Sequence, residues 1–509
     1  MQRTGVQSNI LQNKETALLY PLALIGAILL IGGLGLLYLT DDTANPFSDM
    51  YLMPYVLLVG ITIAAPNAYL IFKGKFHLFH PLCFAAWSYF IPAFFVGGLL
   101  LASNLSQPFY LTFVQDEKYN LPLTLFYIAL GYGGLSLGFF LPGIKKAGVQ
   151  ISRRLPVWEW EADRLLLPGL LLLAIGWLNN ILAFAMGVLG YQKLAEIGKY
   201  DGLVFLLTLF WTQGSFILWL CIFRTKKFDF THYFVIAVLI STALVKAAFQ
   251  GNRGSLVAFC FMVAAAFVFA VEKVRFKHKV IGAVTVFFAL IIGMIYGTTF
   301  RAIKQSEART GDDAYIGTMF VTFDKLSNQD LTQNLGEGLA AIVERFEAVS
   351  SLAVVVSNYE KLAPYEESYG LKDNIWNDSA YFFIPRPLWK DKPVGSSPKE
   401  YSDLYFDYGE NSFIITPMGD LLRNFGPYGI FIGMLILGTG LNLIYQTLIE
   451  NQPFSFWRTN LYYSMLAAVT YEGFYGTIFP NMIRFGAIAM VGVFVIKFIY
   501  KQAGNTKRR

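Results

Sequence analysis

About twelve runs of roughly 20 mainly apolar residues succeed one another along this chain, and no other feature restricts its fold as much. A helix of that length and composition can cross the hydrocarbon of a bilayer, where every backbone polar group must find its partner inside the protein. The runs are Ala17 to Leu39, Tyr51 to Phe72, Leu78 to Ala102, Leu121 to Leu141, Leu165 to Leu189, Leu203 to Phe223, Tyr233 to Phe249, Leu256 to Val271 and Val280 to Phe300. After a polar stretch come Tyr428 to Leu448, Leu461 to Phe479 and Ile483 to Ile499. With 55% hydrophobic and only 15% charged residues, the composition is far from that of a soluble domain. The expected fold is therefore an all-α polytopic membrane protein of about 12 transmembrane helices with one large extracytoplasmic loop. Residues 1–300 supply nine helices, 301–427 the loop, and 428–509 three helices and a basic tail. The first run reads as a spanning helix rather than a cleaved signal, because no small-residue cleavage site follows a short apolar core.

Lys and Arg are retained in short cytoplasmic loops, and here they alternate. Lys73 and Lys75, Lys145 to Arg154, Arg224 to Lys227, Lys273 to Lys279, Arg458 and the tail Lys507-Arg508-Arg509 fall on one side. The opposite short connections hold only Lys118, Lys193, Lys199 and Arg253. Both termini are expected in the cytoplasm and the stretch from Arg301 to Asn411 outside it. This asymmetry accounts for the net charge of +6, and no basic patch interleaved with aromatics points to nucleic acid. Cys83, Cys221 and Cys260 fall in apolar runs without metal-ligand spacing and read as small buried residues.

Within the polar stretch, Leu335, Leu339, Ile342, Phe346, Val349, Leu352 and Val356 recur at helical spacing and predict an amphipathic helix from about Leu335 to Tyr359. Its apolar stripe needs a partner, either the outer ends of the membrane helices or the bilayer interface. After Pro364 the chain is rich in Tyr and Trp, a composition of ordered loop rather than linker. Tyr381 and Trp389 are candidates for stacking on sugar faces.

The segment Ile384-Pro385-Arg386-Pro387-Leu388-Trp389-Lys390-Asp391-Lys392-Pro393 sets Arg386 and Lys392 on backbone stiffened by proline, an arrangement suited to an anion. Arg253, Arg301, Arg345 and Arg423 also fall at or beyond the outer ends of spans, and Arg484 lies inside the last one. Arginine presents a planar fork of donors matched to phosphate oxygens, so these residues with Arg386 and Lys392 are candidate diphosphate ligands. Each alone also fits a structural pair, and Glu472 is the partner expected for Arg484 in that case. Expelling a diphosphate from an anomeric carbon calls for such cations, and a carboxylate can take the proton of the attacking hydroxyl. Carboxylates on the outer side are Glu344, Asp378, Asp420 and Glu472, with Asp378 and Glu344 ranked first as the catalytic base. No Asp-x-Asp faces outward, and the expectation is a reaction without metal or cofactor. His77, His80, His232 and His278 all fall near cytoplasmic ends, away from any outer site.

Four motifs in this order resemble the Wzy-type O-antigen and oligosaccharide repeat-unit polymerases: Gly251-Asn252-Arg253-Gly254, Glu344-Arg345-Phe346, Phe383 to Pro393, and Gly419-Asp420-Leu421-Leu422-Arg423-Asn424-Phe425-Gly426. The resemblance covers roughly residues 245 to 445 by motif and the whole chain by hydropathy. It implies a glycosyltransferase of the bacterial cytoplasmic membrane, with a fold similar to other multi-span enzymes that use lipid-linked donors. Such an enzyme moves a glycan from one polyprenyl diphosphate onto another lipid-linked repeat unit, building O-antigen, capsule or exopolysaccharide. The implied partners are those donor and acceptor lipids, the bilayer, and a chain-length regulator and flippase. Asp420 departs from the Glu expected in the last motif. The alternatives are a flippase for lipid-linked oligosaccharides and a ligase of O-antigen. Spans with few charges argue against the first, and the lack of an outer histidine against the second.

Overall fold

A computed structural model describes residues 48–106, 108–189, 200–225, 227–251, 254–271, 276–306, 312–328, 347–384, 388–389, 392, 395–409 and 412–506. Every regular element among them is helical, and nine of these helices are long and apolar enough to cross a membrane. The first seven elements are α1 (Met50–Phe72), α2 (Pro81–Ala102), α3 (Glu117–Phe139), the amphipathic α4 (Ile144–Arg154), α5 (Ala162–Ala185), α6 (Asp201–Arg224) and α7 (Phe230–Gln250). They are followed by α8 (Ser255–Ala270), α9 (Phe276–Ser306), α10 (Asp312–Asn328) and α11 (Val349–Leu362). The last five are α12 (Asn374–Tyr381), α13 (Pro398–Phe406), α14 (Thr416–Leu448), α15 (Phe456–Ala467) and α16 (Tyr475–Thr506). The expected span Ala17 to Leu39 lies outside the described residues.

Small residues set the closest helix contacts, as they must where lipid gives no hydrophobic drive for helices to associate. A Cβ on Gly138 of α3 would lie 2.0 Å from the Leu435 carbonyl oxygen of α14, and one on Gly438 of α14 would lie 2.0 Å from the Leu135 oxygen of α3. The α5–α6 hairpin is built alike, Gly176 meeting the backbone of Trp211 and Gly214 that of Leu173. In α2 the stretch Ala86–Val96, which contains Pro92, is wound as a wide π-helix, and its Ala93 carbonyl accepts the Ala348 N–H at 3.2 Å. That contact seats the start of α11, whose Val349, Leu352 and Val356 are all buried. The partner of this part of the stripe is thus the bundle itself, chiefly α3 and α14, while Leu335, Leu339, Ile342 and Phe346 lie outside the described residues.

Three expected spans have features that hydropathy does not give. α8 has 16 residues, about 24 Å of helix, too short to cross roughly 30 Å of hydrocarbon unaided. α14 is two helical stretches that meet at Gly426, whose φ 69° and ψ −169° are non-helical and open to glycine, just before Pro427 removes an N–H: the second stretch begins where the expected span does, at Tyr428, and the first, from Thr416, precedes it. The run Leu461 to Phe479 is not one helix. α15 stops at Ala467, residues 468–474 are non-helical, and α16 begins at Tyr475. Ala468, Val469, Tyr471 and Phe474 are buried in this break, which suits irregular backbone enclosed by protein. Thr416 N–H reaches the Glu472 carbonyl at 3.4 Å, tying the break to the start of α14.

The cation-bearing connections meet at one end of the bundle. Lys75 pairs with Glu450 at 3.1 Å, Arg458 donates to Ser152 Oγ at 2.8 Å, and Arg224 lies 4.3 Å over the Phe454 ring. The first turns of α14 and α16, with α12, lie at the other end.

Candidate functional site

Gly370 and Asp373 both take left-handed backbone, which glycine and aspartate tolerate best, and turn the chain into α12. The short helix is clamped between the first turns of α14 and α16. At Gly476 of α16 there is no room for a side chain: a Cβ would lie 2.9 Å from the Ile375 Cα.

Beneath α12 lies a buried ionic cluster. Arg423 Nη1 donates to Glu366 Oε1 at 2.7 Å, and Nη2 to Asp420 Oδ1 at 2.9 Å. The guanidinium is fully buried, as is the Asp420 side chain. Tyr405 of α13 also donates to Glu366, at 3.0 Å, and Gly476 N–H reaches Asp420 Oδ2 at 3.3 Å. Burial, reinforced by the Glu366 charge, pushes the Tyr405 phenol far above its ordinary range, so it stays a donor.

Asn374 is the hub of the cluster. Its amide nitrogen donates to Asp420 Oδ1 at 3.0 Å and to Ser396 Oγ at 2.9 Å, and its carbonyl accepts from Arg423 at 3.1 Å and Asn424 at 2.7 Å. One turn on, half-buried Asp378 accepts the Ser396 hydroxyl on Oδ2 at 2.6 Å and the Ser396 N–H on Oδ1 at 3.3 Å. Burial raises the Asp378 pKa. The Ser396 bonds oppose this, Asp420 adds to it, and the Arg484 charge pulls it down, leaving a net rise.

Arg484, one helical stretch into α16, lies 5.6 Å from the Phe382 ring and 3.5 Å from the Phe382 carbonyl. The Asp378 carboxyl is the charged group that acts on it through space. Glu472, expected to neutralise Arg484, is instead exposed in the break between α15 and α16. Tyr381 and Trp389 meet edge to face with centroids 5.2 Å apart, and Lys392 donates to the Ile384 carbonyl at 2.8 Å, clamping its own turn.

Of the residues singled out from sequence, Asp378, Arg484, Tyr381 and Trp389 come from three segments to one end of the bundle. Arg423 is a correction. With no exposed side-chain surface and two carboxylate partners it has no face left for a diphosphate, and it acts instead as the counter-ion that lets Glu366 and Asp420 be buried. Asp420 likewise holds structure rather than a free base. Arg253, Glu344, Arg345 and Arg386 lie outside the described residues, as does the side chain of Arg301.

Sequence reasoning missed Glu366, Asn374 and Ser396. Glu366 stands 57 residues from Arg423, with nothing in local periodicity to join them. The chain matches no protein-family profile, no curated protein and no solved structure.

Proposed function

We propose that the chain is a glycosyltransferase that joins lipid-linked oligosaccharide repeat units at the outer face of the bacterial cytoplasmic membrane, as the resemblance to Wzy-type polymerases implies. The observation that carries this reading is the gathering of Asp378, Arg484 and the Tyr381–Trp389 pair at one end of the bundle, with Asp378 and Arg484 acting on each other through space. It sets a carboxylate of raised pKa against an unusual cation within a membrane helix, beside the Tyr381–Trp389 pair. A base needs a pKa close to the working pH, and a departing diphosphate needs a fixed cation. Asp378 and Arg484 are the residues this reading assigns to the two tasks.

In this mechanism a hydroxyl of the acceptor sugar attacks the anomeric carbon of the donor glycan as the bond to the diphosphate oxygen breaks. Asp378 takes the hydroxyl proton, and Arg484 balances the charge gathering on the leaving polyprenyl diphosphate. Trp389 and Tyr381 offer ring edges and faces to a sugar. The cation-rich end of the bundle, carrying Lys75, Arg224 and Arg458, is taken as cytoplasmic by the distribution of Lys and Arg, which puts α12 outside.

The test is reconstitution of the purified protein in liposomes with the lipid-linked oligosaccharide of its own cells. A transferase yields longer lipid-linked glycans together with free polyprenyl diphosphate. Movement of intact lipid-linked units between leaflets with no lengthening would replace this reading by a flippase.

A further inference from the structure

We propose that Ser396 is the positioning residue that keeps Asp378 in its base form, its hydroxyl aimed by Asn374 from the buried Arg423–Asp420 pair. The proposal rests on the reading of Asp378 as the base and adds a residue that reading does not supply.

The argument is one of hydrogen-bond polarity. A guanidinium can only donate and an ionised carboxylate can only accept. Arg423 and Asp420 both touch the Asn374 amide, so its carbonyl must face Arg423 and its nitrogen Asp420. The second N–H of that nitrogen then points at Ser396 Oγ, 2.9 Å away. Having accepted there, the serine hydroxyl directs its own proton to Asp378 Oδ2 at 2.6 Å, while the Ser396 backbone N–H covers Oδ1 at 3.3 Å. Every link runs the same way, from the buried cation outward.

Asp378 therefore meets donors on both oxygens. Protonating the carboxyl weakens both bonds, because a neutral carboxyl oxygen is a poorer acceptor than a carboxylate oxygen. Hydrogen bonds to the charged form favour it, so the relay opposes the burial that pushes the carboxyl up. Among the described residues, the charged groups that face Asp378 are Asp420 from α14, which raises its pKa, and Arg484 from α16, which lowers it. Ser396 adds no charge of its own, so its replacement changes the hydrogen bonding alone.

The test reads the carboxyl directly. Purified protein in detergent is treated with a hydrophobic carbodiimide, which modifies protonated carboxyls, across a pH series, and modification of Asp378 is followed by peptide mass spectrometry. Ser396→Ala should move the midpoint of Asp378 modification about one pH unit upward, the size expected for one lost charge-assisted bond. Ser396→Thr, which keeps the hydroxyl, should restore the wild-type midpoint, and Ser396→Cys, a weaker donor, should fall between. An unchanged or lowered midpoint in both the Ala and Cys variants overturns the positioning role. Because the readout needs no turnover, a shifted midpoint in a protein that elongates nothing would uphold Ser396 while defeating the transferase reading.

Discussion

Arg423 donates to Glu366 over 2.7 Å with its guanidinium wholly buried, and so fastens the segment before α12 to the first part of α14. A buried ion pair contributes little net stability against an apolar replacement, yet breaking it from one side is costly. Arg423→Ala strands Glu366 and Asp420 and should lower stability by about 3 to 5 kcal/mol. Glu366→Gln, which keeps an acceptor for Arg423 and Tyr405, should cost less. Thermal unfolding followed by size exclusion in detergent separates the two, and an Arg423→Ala protein that melts with wild type would contradict the structure of this cluster.

Arg484 has a different character, being half-buried, with a long bond to the Phe382 carbonyl, a contact with that residue's ring and the Asp378 charge acting on it through space. Arg484→Gln should leave the melting temperature nearly unchanged while cutting turnover about 100-fold, the scale of one lost donor to a leaving group. Turnover within a fewfold of wild type would remove Arg484 from the chemistry.

Glu347 supplies a pH dependence of stability. Burial pushes its carboxyl up to about 7 against the opposing bonds from Ser350 N–H and Oγ. The folded state thus holds a proton that the unfolded state has released. Stability is highest below the ordinary glutamate range, falls as pH rises to about 7, and is level above it. Glu347→Gln keeps the hydrogen-bonding frame without the charge and should flatten the profile, gaining roughly 3 kcal/mol at pH 8 and nothing near pH 4. Melting curves at the two pH values decide the matter, and an equal gain at both would show that Glu347 does not titrate in this range.

Gly476 tests the seat of α12. A methyl group there meets the Ile375 backbone at 2.9 Å, so Gly476→Ala should displace α12 and cost about 1 to 3 kcal/mol together with most of the activity. Gly202→Ala, in the first turn of α6 with open space around it, is the control and should leave stability and activity almost unchanged. Equal effects of the two substitutions would refute the close approach of α12 and α16.

The sequence made the helical class legible because membrane helices carry their signal in twenty consecutive residues, and the alternation of Lys and Arg is likewise local. Asp378, Arg484, Tyr381 and Trp389 were singled out by residue type, and the fold gathers them at one end of the bundle. Three features were not legible. The end of α15 at Ala467 falls inside a stretch averaged as one apolar run through Phe479, in which Thr470, Glu472 and Gly473 are too few to end it by hydropathy. The helical stretch of α14 before Gly426 is hidden because Asp420 and Arg423 look like loop residues until Glu366 and Asn374 are brought beside them. Ser396 and Asn374 act through bonds to residues 18 and 46 positions away, and no period of a helix or strand connects such pairs.

The central claim is that Asp378 and Arg484 together elongate lipid-linked glycans. Its most direct measurement compares wild type, Asp378→Asn and Arg484→Gln in proteoliposomes supplied with the native lipid-linked oligosaccharide, resolving the products by size. The account predicts a ladder of lengthened glycans from wild type and almost none from either variant, with all three proteins folded. A full ladder from Asp378→Asn, or no lengthened product from wild type, would contradict it.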